Sequence, residues 1–349
     1  MDEDMNSMPG TEAGGQPAIS VVIPVRNGAG TLHACLESVY RSAFSDFEVV
    51  VVDDGSVDGT AAVAGSYPCT LLKLPKNSGA ATARNIGARE SHGCILFFLD
   101  ADILIRPKTL GMIVRAFSEQ PDVDALFGSY TKECGSAGFF SRYKNLLHHY
   151  THQTSNPDAV TFCSGFGAVR REVFFRLGGF DPRWRYMEDM EFGHRLHLRG
   201  HRILLYKELQ VTHCKRYTLQ GLIRSDLIGR AIPWTQLILE TRVVRKDLNL
   251  QWHNLLSVPL SYLILISPAL LRVGRLPLLL GVLLLLFVAL NYRFLAFTYQ
   301  QHGLLFAARS FLMSWFSYLY SGLGLVLGVG SYLRGHWRAS AALHDSSKT

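Results

Sequence analysis

The chain has no Cys-x-x-Cys pair. Its six cysteines stand apart, at positions 35, 69, 94, 134, 163 and 214. That argues against a zinc ribbon or a redox dithiol and fits a reducing compartment for the soluble part. No stretch repeats at a fixed period, which excludes a solenoid or propeller. The opening residues, MDEDMNSMPGTEAGGQP, have neither a basic n-region nor an apolar core. They do not read as a signal peptide, and their composition predicts a disordered tail over 1–17. Acidic residues are in deficit, 28 Asp and Glu against 35 Lys and Arg, for a formal charge of +7. Such a surplus suits nucleic acid, anionic lipid or phosphorylated substrates. The basic residues cluster beside apolar runs, and no aromatic platform for stacking bases accompanies them. A membrane explains them more simply, and no nucleic-acid partner is expected.

What the chain has in quantity is apolar sequence, 48% of its residues. Over 18–130 that sequence is cut into short lengths. AISVVIP, FEVVVVD, TLLKLP and CILFFLD read as strands, and TLHACLESVYRS, VDGTAAVAGSY and SGAATARNIGARES read as helices between them. Continuous apolar strands alternating with helices predict an α/β fold with a mostly parallel sheet covered on both faces. Right-handed crossovers put the carboxyl ends of such strands along one edge, where ligands bind. Three strand ends carry polar residues: Pro24-Val25-Arg26-Asn27, Asp53-Asp54-Gly55-Ser56 and Asp100-Ala101-Asp102.

Asp100 and Asp102 end a water-free strand one residue apart. Like charges held that close repel. A hard divalent cation, Mg2+ or Mn2+, relieves the conflict and commonly carries a diphosphate. The alternative is a strand end that only caps its turn. Asp53 and Asp54 suit hydrogen bonds to a base or ribose, and DGS is also an ordinary turn. Arg84 and Asn85 lie on a helix of small residues that can approach a ligand closely, and the planar fork of Arg84 suits a phosphate. Glu188 and Asp189 open a predicted helix, where a carboxylate can serve as general base or simply answer the helix dipole. A lone His213 after a predicted strand is more often structural than a ligand. HRILLYKELQVTH reads as two short strands, and Pro233 is expected to kink or break a basic amphipathic helix over 216–250.

The last third differs in kind. LLSVPLSYLILISPALL has 17 uncharged residues, LPLLLGVLLLLFVALNY follows, and 310–333 gives 24 uncharged residues. The last is long enough to cross a hydrocarbon core. Two spans, 277–293 and 310–333, with the first run lying in the interface, keep Arg272, Arg275, Arg334 and Arg338 on the side of the soluble domain, as the positive-inside rule favours. Three spans would send Arg272, Arg275 and the C-terminus to the far side. The two-span arrangement is the expectation.

VVIPVRN, VVVDDGSVDGT, NSGAATARNIGA, FLDADI, GFGAVRREVFFRLGGFD and MEDMEFGHRL occur in this order. Together they resemble a family 2 glycosyltransferase with the GT-A, Rossmann-like fold, over about residues 18–215. The resemblance implies an inverting, metal-dependent transferase that uses a UDP- or GDP-sugar. By position, Pro24, Asp53, Asp54 and Arg84 line the nucleotide-sugar pocket, with Val25, Arg26, Asn85, Asp100 and Ala101 beside them. Asp100 and Asp102 hold the metal, which His213 completes. Gly165-Phe166-Gly167 matches the glycine-rich loop on the acceptor side. Glu188-Asp189 matches the catalytic pair, with Asp189 as base unless the acceptor is already an anionic phosphate.

Processive synthases share the layout but carry a Q-x-x-R-W motif, and QGLIRSD and PWTQ do not match it. Polyprenyl-phosphate glycosyltransferases share a catalytic domain followed by membrane helices, which supports a lipid or polyprenyl-phosphate acceptor. The expected organisation is a disordered tail 1–17, a catalytic domain 18–215, basic interfacial helices 216–254, membrane helices 255–333 and a basic tail 334–349. The catalytic domain is expected on the cytoplasmic face of a multi-pass protein. The competing readings are a non-catalytic sugar-nucleotide scaffold, a processive polysaccharide synthase and a nucleotidyltransferase. The last would need a glycine-rich phosphate loop that RNGAG is too thin to supply.

Overall fold

The computed structural model describes residues 16–242, 248, 251–270 and 276–346. β1 (Ile19–Val25), β2 (Phe47–Asp53), β3 (Thr70–Lys73) and β4 (Ile95–Leu99) alternate with α1 (Ala29–Tyr40), α2 (Thr60–Gly65) and α3 (Ala80–Glu90). Next come β5 (Ile103–Leu104), α4 (Thr109–Glu119), β6 (Val123–Tyr130), α5 (Phe139–Thr154), β7 (Asp158–Ala159), β8 (Phe166–Arg170), α6 (Arg171–Arg176), α7 (Glu188–Leu198) and β9 (Arg202–His213). The remainder is helical: α8 (Leu219–Asp226), a π turn (Leu227–Ala231), α9 (Ile232–Thr241), α10 (Trp252–Ile266), a 3-10 turn (Ser267–Leu270) and α11 (Leu276–Ser346).

The strands form one sheet in the order β3-β2-β1-β4-β8-β6-β9-β5, with β7 beside β9. β1, β2, β3 and β4 are parallel, as are β6 and β9, but β8 runs antiparallel between β4 and β6. The sheet is therefore mixed rather than mostly parallel. The cause lies in the connection: after α5 the chain arrives at the edge where β4 ends, and a strand starting there must run back. The amide of Asp100 donates to the carbonyl of Gly165 at 2.8 Å and fixes that junction.

Alternate residues of each strand feed two cores. Val21, Ile23, Phe97 and Leu99 pack with Leu32, Leu36, Ile113 and Phe117 on one face. Val22, Leu96 and Phe98 pack with Phe174, Phe180, Phe192 and Leu196 on the other. Burial on both faces explains why the strands read as continuous apolar runs. β9 is one strand of 12 residues, not two short ones. Its register against β6 jumps from Phe127↔Leu205 to Ser129↔Gln210, and this bulge is where the sequence loses its alternation.

Pro233 does not break the basic helix. The Ile232 N–H reaches back to Leu227 through the π turn, and Pro233 falls at the start of α9, where a missing N–H costs little. The predicted tail lies outside the described residues except for Gln16 and Pro17, as do Arg245, Lys246, Arg272 and Arg275.

α11 is bent back on itself at Gly303, whose φ of 78° and ψ of −176° leave the helical region. Phe287 meets Phe311 and Tyr318 across the bend, and the Tyr318 hydroxyl donates to Asn291 Oδ1 at 2.9 Å. α10 packs alongside both arms, with Tyr262 donating to the Leu319 carbonyl. Phe306 lies against Phe139, Phe294 against Tyr143, and Phe297 against His149, so the bend rests on α5. The bend falls between the two apolar runs 277–293 and 310–333, which form the two arms of the hairpin, and it lies against α5 of the catalytic domain. Among the described residues α11 is the one helix long and apolar enough to cross a membrane, and α10 is a shorter apolar helix. A multi-pass architecture is not supported.

Candidate active site

The carboxyl edge of the sheet gathers the ends of β1, β2, β4 and β9 and the start of β8. Asp100 leaves β4 half-buried. Its Oδ1 accepts from Arg84 Nη2 at 2.6 Å, and Arg84 Nη1 donates to Glu188 Oε1, also at 2.6 Å. Arg84 is buried on α3, whose small residues bring it against the sheet. One guanidinium thus joins the Asp-Ala-Asp turn to the Glu-Asp pair that begins α7. Asp189 faces the same place: its Oδ2 accepts from Ser164 N at 3.3 Å and its Oδ1 from Met190 N at 2.8 Å.

Three carboxylates therefore surround one cation, and two carry surplus charge. Burial pushes Glu188 up to about 7 despite the pull of Arg84, with repulsion from Asp189 adding to it. Burial raises Asp189 as well, again against Arg84. Burial alone would lower the pKa of Arg84, but Asp100 and Glu188 outweigh it and raise it.

Asp102 turns the other way. Its Oδ2 lies 3.5 Å from His213 Nε2, and its carbonyl accepts from Cys214 N. β5 pairs with the end of β9, setting Ile103 opposite His213, and Tyr130 stacks on the imidazole at 5.0 Å. Burial would raise Asp102, yet the hydrogen bond and charge of His213, with Lys215, hold it below the usual carboxylate range. Asp100 and Asp102 thus have different side-chain partners, Arg84 and His213. Among the described residues no group of three or more His, Cys, Asp and Glu side chains gathers as a metal cage. The donor set still fits a hard divalent ion in part. A carboxylate and an imidazole stand side by side at Asp102 and His213. Asp100 Oδ2 faces Gly165, where a Cβ would come within 3.0 Å.

The other expected residues divide. Pro24 is half-buried and Arg26 exposed at the end of β1. Asp53 is buried and its Oδ1 accepts from Ser56 N. Asp54 takes the amides of Ser78 and Gly79, at 2.6 and 2.9 Å, so it anchors the loop into α3. Asn85 spends both ends of its amide on the backbone of Phe180. Val25 and Ala101 are core side chains. A Cβ on Gly167 would lie 2.3 Å from the Cys163 carbonyl and 2.6 Å from the Phe162 ring, so this glycine answers packing inside β8. The structure does not bring Val25, Asn85, Ala101 and Gly167 to the open side of the edge.

Sequence reasoning missed a closely packed basic cluster next to His213, formed by Ser141, Lys144, His148, Lys215 and Tyr217. A signal was present. In YKNLLHHYTHQ, Lys144, His148 and His152 recur every four residues and share one helix face.

Residues 20–178 match the family described as Glycosyl transferase family 2. An uncharacterized glycosyltransferase of Haemophilus influenzae is 27% identical over 215 residues, covering 60% of this chain and 71% of that protein. A PGL/p-HBAD biosynthesis glycosyltransferase of Mycobacterium tuberculosis is 29% identical over 188 residues, covering 51% and 69%. Among solved structures, the mannosyltransferase PcManGT from Pyrobaculum calidifontis, in complex with GDP-Man and Mn2+, superposes with a TM-score of 0.55 at 20% identity, over 90% of this chain and 88% of that one. S. aureus TarS 1-349 superposes with a TM-score of 0.51 at 19% identity, over 85% and 88%. At such identities the likeness establishes the fold, a mixed α/β sheet of GT-A type followed by a long apolar helix.

Proposed function

We propose that this chain is a family 2 glycosyltransferase, the reading that the family match, the related transferases and the GT-A-like fold support together. It moves a sugar from a nucleoside-diphosphate donor, UDP- or GDP-linked, to a lipid or lipid-linked acceptor with inversion at the anomeric carbon. The observation that carries this reading is the bridge from Asp100 through Arg84 to Glu188, which joins two acidic motifs far apart in sequence at the carboxyl edge of the sheet. That PcManGT was solved with GDP-Man and Mn2+ favours a nucleotide-sugar and a divalent metal here too.

Each residue then has a task. Asp102 and His213 would hold the divalent ion, with Asp100 beside them, and the ion when bound offsets the charge of the leaving diphosphate. Arg84 keeps Asp100 and Glu188 in place and adds a fixed positive charge near that diphosphate. Asp189, held by two backbone amides, takes the proton of an acceptor hydroxyl as it attacks. If the acceptor is an anionic phosphate, Asp189 positions the sugar instead. Holding donor and acceptor in one cleft replaces a bimolecular encounter with an oriented one.

The chain associates with a membrane through the exposed apolar faces of α10 and α11, including Leu256, Leu263, Leu278, Leu285 and Val326. Its basic helices then meet anionic head groups on the cytoplasmic side. Purified protein should float with vesicles of mixed neutral and anionic lipid, and protein that stays at the bottom of the gradient would contradict this.

Incubation with a panel of nucleotide-sugars, Mn2+ and a lipid extract tests the activity. Sugar incorporated into lipid supports the reading, and neither transfer nor release of nucleoside diphosphate from any donor overturns it.

A further inference from the structure

His213 is the last residue of β9, and its backbone is fixed by pairing with Ile103 of β5. Strand pairing holds a backbone but leaves the side chain a choice among staggered rotamers. The imidazole meets Asp102 through Nε2, at 3.5 Å from Oδ2. A ring free to turn would have to be ordered at the moment a ligand binds, and that ordering weakens binding.

Register decides what lies against the ring. Tyr130 ends β6, and its Cα partner in β9 is Val211. Side chains alternate along a strand, so Val211 and His213 share a face. Tyr130, level with Val211 and in the same core, joins them on it. The phenol ring consequently stacks on the imidazole, with centroids 5.0 Å apart and planes 21° from parallel. Tyr217 meets the imidazole from another direction, edge-on at 6.5 Å and 71°.

Tyr130 is itself held in place. It is buried, with His152 stacked on it at 5.8 Å and 18° and Phe166 against it at 4.7 Å. Its carbonyl accepts from His149 Nδ1 at 2.7 Å, which pins the backbone where β6 ends. A ring clamped in this way passes its order on to the imidazole beside it.

We propose that Tyr130 is a positioning residue for the divalent ion: its ring sets the plane of the His213 imidazole, so that Nε2 is presented beside Asp102. The assignment rests on the transferase reading above, in which Asp102 and His213 hold the ion. A ligating imidazole is commonly oriented by a hydrogen bond to its second nitrogen. At His213 the neighbouring rings take that part. The phenol hydroxyl contributes nothing to the stack, so phenylalanine serves as well as tyrosine.

Mn2+ titration of the full chain in detergent with a bound nucleotide-sugar, read by electron paramagnetic resonance, tests this in wild type, Tyr130→Phe, Tyr130→Leu and Phe174→Leu. Phe174 is buried in the core on the other face of the sheet, so its variant reports what losing a packed ring does by itself. Tyr130→Leu should weaken Mn2+ binding about tenfold or more, the scale expected when the partner that orients a ligand is removed, and should shrink or broaden the nitrogen coupling. Tyr130→Phe keeps the stack and should match wild type. Phe174→Leu should lower the melting temperature and leave Mn2+ affinity and nitrogen coupling as they were. The metal-free wild type gives a second readout that needs no variant: the ring current of Tyr130 should move the His213 imidazole protons upfield in the NMR spectrum. Imidazole protons at an unshifted position overturn the proposal. So does wild-type affinity and coupling in Tyr130→Leu, or an equal loss in Phe174→Leu, and in both cases the metal site itself stands. Mn2+ bound to the wild type without a nitrogen ligand would instead overturn the placing of the ion at His213, and the role of Tyr130 with it.

Discussion

At the scale of single residues, the chemistry turns on which carboxylate has which partner. Asp102 is held below the usual range beside His213, while Glu188 and Asp189 are raised around Arg84. If Asp189 removes a proton, kcat/KM should rise with pH to a plateau, and burial of Asp189 places that rise above the usual carboxylate range. Glu188→Gln leaves Asp189 with one fewer repelling charge and should shift that rise to lower pH. A rise that does not move would mean that the two carboxylates do not share their charge. Stability carries the opposite sign. The folded chain keeps a proton on Glu188 that the unfolded chain releases above about 4.5, so this group lowers stability as pH climbs toward about 7. Melting curves of wild type and Glu188→Gln between those values should therefore converge at the acid end and separate toward neutral pH.

Asn85 shows how a residue expected in the ligand pocket can be structural. Both ends of its amide pair with the Phe180 backbone in a buried place. Asn85→Ala should cost about 1–3 kcal/mol of stability by leaving that backbone unsatisfied, which denaturant unfolding would measure. The sequence could not separate this role from ligand binding, because an asparagine beside Arg84 looks the same either way. Asp54 is similar: its partners, Ser78 and Gly79, are 24 and 25 residues away, and only the fold brings them near. Asp100, Asp102, Glu188 and Asp189 were legible because unpaired acidic residues at strand and helix ends are expensive and therefore informative.

At the scale of elements, local sequence encodes the strands and helices, and tertiary contacts decide how they pair. The apolar strands and small-residue helices up to β4 follow from periodicity alone. The direction of β8 and the bulge in β9 depend on where a long connection re-enters the sheet, and no local pattern encodes that. The two arms of α11 correspond to the apolar runs 277–293 and 310–333, but the contact of their bend with α5 depends on tertiary packing that no local pattern encodes. Glycine also governs how α11 lies on α9. A Cβ on Gly328 would come 2.6 Å from Thr235 Cβ and 2.9 Å from the Ile232 carbonyl. Gly328→Leu should force the two helices apart at a cost of about 1–3 kcal/mol. Limited proteolysis between α9 and α10 should then become faster, and an unaltered rate would show that the contact is not close in solution.

At the scale of the whole molecule, a mixed sheet places its chemistry along one edge, and an apolar helical unit packs on α5 just behind it. That adjacency suits an enzyme that takes a soluble donor from one side and an acceptor tied to a membrane from the other. The central claim is that Asp102 and His213 hold the ion on which transfer depends. Asp102→Asn should lower metal-dependent transfer about a hundredfold or more, since the charge stabilisation is worth several kcal/mol and each ~1.4 kcal/mol is tenfold. The most direct measurement is Mn2+ titration of the full chain with a bound nucleotide-sugar, followed by electron paramagnetic resonance, in wild type and Asp102→Asn. The account predicts that the wild type binds one ion whose signal shows coordination by His213 nitrogen, and that Asp102→Asn loses it while remaining folded. Equal Mn2+ affinity in both proteins, or a bound ion with no nitrogen ligand, would contradict it.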